Sequence, residues 1–262
     1  MARRRPDPAT ARAAYEAAHA AVRAHLAGLP AEAWLRPSVL PGWTVSDLGA
    51  HLSVVADSIR ALEPAPRGTR ALTAAEYLAT YPDGAAAIDE RTRAAAGGPG
   101  RSPAEVVDAL DRGVDEAVRR LDDLGPGDAV VRARRGPVRL GDFLATRVVE
   151  LVVHADDLAR SVPEKPPPTL SREAVRLAVR TLLDALAERY PGRSLEVRVP
   201  PYAAVQCLPG PRHTRGTPPG VVETDPVTWL RLAAGRISWA EAGTAVTASG
   251  TRSDLSAFLP LL

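Results

Sequence analysis

The sequence predicts an α+β chain, with a helical bundle over residues 1–190 and a small α/β unit over 191–262. Three observations predict it. Long stretches carry apolar residues at alternating three- and four-residue spacing between capping signals, the pattern of helices packed along one stripe. A proline run at 166–168 makes a stiff connector after four such stretches. From Leu195 the period changes to two, as Leu195, Val197 and Val199 alternate with polar residues.

Each element has a local reason. Asp7 and Pro8 set a cap and a first-turn proline before an Ala-rich helix that Gly28 closes, with Tyr15, His19, Val22 and Leu26 on one face. A second helix starts near Thr44 and carries Val45, Leu48, Leu52, Val55, Ile59 and Leu62. Thr73 with Glu76, and Ser102 with Glu105, have capping-box spacing. The latter pair opens a helix that Gly125 stops. The segment VVRARRGPVRL, with Gly136 and Pro137 in the middle, reads as a short extended excursion or a hairpin rather than helix. Helices then run from Leu140 to Ser161 and from Ser171 to near Gly192. In the tail, LPGPRHTRGTPPG reads as an irregular loop, Asp225 and Pro226 open a short helix, and Ser238 with Glu241 form another box. Val246 to Ser249 fit a strand, and Ser253 is expected to cap a terminal helix through Leu259.

Composition narrows the function classes. A hydrophobic content of 45% suffices for a packed core, although aromatics are only 4%. Lys165 is the only lysine, and 33 bases against 31 acids leave a net charge of +2, a poor nucleic-acid footprint. Cys207 has no disulfide partner and reads as a small buried hydrophobe. Arg3, Arg4 and Arg5 run into Pro6 and Pro8 without a signal-type apolar segment, and no run approaches the ~20 apolar residues of a membrane span. The expectation is a cytoplasmic protein without membrane or nucleic-acid partners. No coiled-coil seam demands a partner, so a monomer or weak dimer is expected.

The chemistry concentrates in two helical stretches. His51 lies in PGWTVSDLGAHL, and Glu150 and His154 in RVVELVVHADDLA. Residues four apart share a helix face, so Glu150 and His154 can aim an oxygen and a nitrogen at one point. With His51 they make three N/O donors, a set that leaves a catalytic metal one open position. Zinc suits these donors, as do nickel, iron or manganese. The same spacing also fits an ordinary helical ion pair, and His19, on an apolar face, is an alternative third ligand. His25 is expected to be solvated.

PGWTVSDLGAHL and GDFLATRVVELVVHADDLA resemble the two signature regions of the mycothiol-dependent maleylpyruvate isomerase family, within the DinB-like metal-binding four-helix bundles. The resemblance implies a DinB-like bundle with His51, Glu150 and His154 as metal ligands. Trp43, Asp47, Arg147 and Asp157 would frame them or hold their orientation. VETDPVTWLRLAAGRISWAEA is similar to the sterol-carrier-like domain appended to some members. In the loop before it, Arg212, His213 and Arg215 could meet an anionic substrate. The implied function is activation of a low-molecular-weight thiol of mycothiol type for isomerisation or S-transfer on a small electrophile. The alternatives are a non-catalytic carrier of hydrophobic ligands or an interaction protein, and a hydrolase using a metal-bound water.

Overall fold

The computed structural model describes residues 5–97, 102–210 and 219–262. Helix α1 (Pro8–Ala27) begins where Asp7 accepts the Thr10 N–H at 2.9 Å. After the short α2 (Ala31–Trp34), α3 (Val45–Arg60) opens on a complete Thr44–Asp47 capping box. Strand β1 (Glu63–Pro64) and α4 (Ala74–Leu78) follow, the latter on the Thr73–Glu76 box. Helix α5 (Ala85–Ala96) buries only Thr92 and Ala96, and α6 (Pro103–Leu124) starts at the Ser102–Glu105 box. Strands β2 (Val130–Ala133) and β3 (Gly136–Arg139) form a hairpin whose turn is Arg134–Arg135, with Gly136 and Pro137 inside β3 rather than at the turn, and β1 adds to β2 to complete a three-stranded antiparallel sheet. Helix α7 (Leu140–Ser161) and α8 (Arg172–Arg189) follow at the expected places.

Four of these helices make the bundle. α3 packs on α6 and α1 on α7, while α1–α6 and α3–α7 contacts close it. Leu26, Leu48, Leu52, Ile59, Leu110 and Leu144 are all fully buried in it, each stabilising the fold by roughly 2 kcal/mol relative to exposure. α7 is buried on almost every side, because α1, α3, α4 and α8 surround it. That is why polar groups on α7 need partners inside the protein.

The C-terminal part has β4 (Leu195–Val199), β5 (Ala203–Cys207), β6 (Gly220–Thr224), α9 (Pro226–Ala233), α10 (Trp239–Ala242) and β7 (Val246–Gly250). Its sheet has the order β5-β4-β6-β7, with β4 and β6 parallel and the other pairs antiparallel. Leu195, Val197 and Val199 point into the core, as their alternation requires. α8 packs on α1, α4 and α7 and also on β5 and α9, so it ties the sheet to the bundle. Cys207 is buried, and burial pushes its thiol up to about 12.

Several local expectations change. No helix runs from Ser253 to Leu259: Asp254 accepts the Ser256 N–H at 2.8 Å in a turn, Phe258 packs on Tyr190, and Pro260 prevents continuation. β5 and the start of β6 border the loop read as irregular from its prolines and glycines. α5 had no signal because it has no apolar stripe. His25 is half-buried rather than solvated, its Nδ1 lying 3.1 Å from the Pro166 carbonyl of the proline connector. Among the described residues no helix is long and apolar enough to cross a membrane.

Candidate metal centre

The α3–α7 contact brings His51 to Glu150 and His154. His51 Nε2 lies 3.8 Å and His154 Nε2 3.3 Å from Glu150 Oε2, and one donor atom from each residue falls within 4.8 Å of the others. An ion about 2.0–2.1 Å from each ligand holds tetrahedral neighbours about 3.3–3.4 Å apart, a spacing that Glu150 and His154 already have and to which the wider separations, up to 4.8 Å, would close on binding. The imidazoles meet nearly edge to face, 4.8 Å between centroids.

Both rings are oriented through their other nitrogen. His51 Nδ1 is 3.1 Å from the Thr92 hydroxyl, and His154 Nδ1 is 3.0 Å from Asp157 Oδ2. In the tautomer that leaves each Nε2 free to coordinate, Nδ1–H donates to these oxygens. Asp157 is fully buried and also receives Arg236, whose Nε lies 3.0 Å from Oδ1 and whose second nitrogen lies 3.0 Å from Oδ2. Trp43 places its ring 5.1 Å from that of His51 and donates its indole N–H to Asp89 at 2.8 Å.

The electrostatics follow from burial against charge. Burial disfavours ionised Glu150, yet His154, His51 and Arg147 outweigh it and hold the carboxyl well below its usual range. For His154, burial opposes protonation but Asp157 and Glu150 prevail and raise its pKa. For His51 burial prevails and lowers it. Arg147, 3.9 Å from Glu150 Oε1, also donates to the hydroxyls of Tyr81 and Ser58.

The other expected residues divide. Asp47 does not frame the ligands through any direct contact; its carboxylate accepts the Thr44 N–H and hydroxyl, both at 2.8 Å, and starts α3 one turn before His51. His19 is buried on α1 outside the cluster, its Nε2 without a partner. Arg212, His213 and Arg215 lie outside the described residues.

A cavity of about 330 Å³ opens onto the centre, with His51, Glu150, Arg147, Tyr77 and Tyr81 in its lining. Its outer wall holds Arg91 from α5 and Arg134 and Arg135 from the β2–β3 turn. Among the described residues none of these three has an ion-pair partner. Arg91 Nε is buried without a hydrogen bond, and burial with Arg134 and Arg135 nearby lowers its pKa. Arg135 instead donates to the Thr80 carbonyl at 2.6 Å and covers the Tyr81 ring. Sequence reasoning missed Thr92, Asp89, Tyr81, Arg236 and these arginines. Only the adjacent Arg134 and Arg135 at a hairpin tip carried a signal.

Comparison with known proteins bears on the family and the fold. The family model described as the mycothiol maleylpyruvate isomerase N-terminal domain matches residues 15–159, and the bacterial SCP ortholog model matches residues 171–261. A crystal structure of the mycothiol-dependent maleylpyruvate isomerase superposes with a TM-score of 0.57 at 18% identity, over 93% of this chain and 91% of that one. A histidine-to-alanine mutant of that enzyme gives 0.58 at 17% identity over the same shares. At these identities the likeness is one of fold. No curated protein sequence matches the chain. The first family model spans more than half of the residues, and the chain belongs to the mycothiol maleylpyruvate isomerase N-terminal domain family, with a C-terminal domain of the bacterial SCP type behind it.

Proposed function

We propose that the protein is a metal-dependent enzyme that ionises a small thiol of the mycothiol type and directs it onto an electrophile bearing an anionic group. One observation carries this reading: donor atoms of His51, Glu150 and His154 lie within 4.8 Å of one another, and two of these residues, His51 and Glu150, line the cavity. His51, Glu150 and His154 would hold the ion. Zinc fits these donors, and nickel, iron or manganese share the chemistry. A bound divalent ion would lower the pKa of a thiol placed at its free position, from about 8.5 to below neutrality.

The chain's own residues supply the rest. Arg147 and Tyr81 stand beside Glu150 at the cavity floor, where charge would develop on an electrophile's oxygen. Addition of the thiolate to a conjugated carbon forms a C–S bond and moves the double-bond electrons onto that oxygen. The former double bond can then rotate, and loss of the thiolate restores it in the other geometry. This is isomerisation; if the adduct is instead protonated and released, the outcome is S-transfer. Among the described residues Arg91, Arg134 and Arg135 have no ion-pair partner, and these cavity-lining arginines suit a carboxylate on the electrophile. The solved relatives' dependence on mycothiol and action on maleylpyruvate support the thiol and the substrate type. We further read the protein as cytoplasmic and as working without nucleic acid or membrane.

The test is metal content and thiol dependence. The wild type should purify with about one ion per chain, the stoichiometry of a single three-ligand site. His51→Ala, Glu150→Gln and His154→Ala should each lose the ion while staying folded. Equal metal content in all four proteins would refute the centre. Electrophile consumption unchanged when mycothiol is omitted would refute the thiol chemistry.

A further inference from the structure

Two consecutive aspartates on α7 are gripped from the C-terminal domain. Arg231 on α9 makes a two-pronged contact with Asp156, both at 2.7 Å, and Arg236 makes one with Asp157. The two clamps differ in what lies behind them. Asp156 is half-buried and touches no candidate ligand, whereas Asp157 is fully buried and accepts the Nδ1–H of His154. Arg236 itself is aimed by the backbone. Gly235 adopts a left-handed φ of 67° just after α9, where a Cβ would be strained and would crowd Pro260 at 3.2 Å. The turn it makes lets Arg236 N donate to the Arg231 carbonyl at 2.7 Å, and one guanidinium nitrogen donates to the Ala234 carbonyl at 3.0 Å.

We infer that Arg236 is a positioning residue for the metal centre, so that the centre is fully formed only with the C-terminal domain docked on α7. A carboxylate with one hydrogen bond can swing about its χ angles. One held by a planar guanidinium fork is fixed in plane and direction. Asp157, fixed in this way, admits one ring orientation of His154, with Nδ1–H toward the carboxylate and Nε2 toward Glu150. The chain reaches His154 through Asp157 alone, and the docking surface as a whole is held by both arginines. The inference rests on the metal reading above.

The experiment compares Arg236→Ala and Arg236→Gln with Arg231→Ala in the full chain, reading Zn²⁺ affinity by competition with a chromogenic chelator and the visible spectrum of the Co²⁺-loaded protein. Arg231→Ala removes a clamp of the same kind on the same surface and serves as the docking control. Arg236→Ala should weaken Zn²⁺ binding about 10- to 100-fold, the usual effect of losing an outer-sphere partner, and shift the Co²⁺ bands. Arg236→Gln, which keeps a single donor, should fall between it and the wild type; it decides the matter should the alanine variant not fold. Arg231→Ala should leave affinity and spectrum unchanged although it lowers thermal stability. Equal weakening by Arg231→Ala and Arg236→Ala would overturn the inference in favour of docking alone, as would unchanged affinity in both Arg236 variants. A wild type that binds no Zn²⁺ or Co²⁺ would instead overturn the metal reading itself, and this inference with it.

Discussion

Replacing His19 by leucine separates the buried histidine that stays neutral from those that face the candidate centre. His19 is 5% exposed on α1, and its Nε2 has no partner. Burial is the largest influence on it and, with Arg23, outweighs Asp111 and Asp115, lowering its pKa from 6.5 to about 4. In the unfolded chain the same imidazole takes a proton near its ordinary value. Between these two values the unfolded state binds more protons, so stability is full above about pH 6.5 and falls as the pH drops toward 4. At about 1.4 kcal/mol per unit the loss sums to about 3 kcal/mol across the window. His19→Leu removes this contribution and fills a similar space. Urea unfolding of both proteins at about pH 7.5, 6 and 5 reads it, since the carboxylates common to both cancel in the difference. The gap should move in favour of the variant by about 2 kcal/mol between pH 6.5 and 5. Parallel pH profiles would refute the argument. Metal content should be unaffected, and its loss would put His19 among the ligands.

Other substitutions test the surroundings. Thr92→Val leaves His51 Nδ1 buried without its partner, and should cost about 1–3 kcal/mol in chemical unfolding and weaken Zn²⁺ binding. Arg91→Ala and Arg134→Ala should each raise KM about tenfold for a carboxylate-bearing electrophile, with kcat nearly unchanged. The neutral ester of that substrate should be insensitive, and equal effects on both would remove the anion-binding role. Gly192→Ala would place a Cβ 1.7 Å from the Leu208 carbonyl oxygen, which Ser194 N and Oγ also approach. It should cost about 3 kcal/mol or more, seen as a lowered thermal midpoint.

The legible parts of the fold were those written in local chemistry. Asp7, Thr44, Thr73, Ser102, Ser171, Asp225 and Ser238 all cap the helices that follow them, because a cap is settled within three residues. At Ser253 no helix follows, because Asp254 takes the Ser256 N–H and closes the segment as a turn before Pro260. β5 and β6 were hidden because proline- and glycine-rich flanks mask short strands that depend on pairing with β4.

The candidate site divides in the same way. Sequence by itself determined which residues could donate to an ion, since ExxxH stacks two donors on one helix face and His51 and His19 are both candidates for the third. Only the tertiary structure decided which histidine joins the pair, because His19 and His51 both lie on apolar helix faces and the α3–α7 crossing alone brings one of them to Glu150. It likewise decided that Thr92 meets the His51 ring and that Arg236 meets Asp157 behind His154. Those contacts join segments 41 and 79 residues apart, and no local pattern records a distance closed by packing.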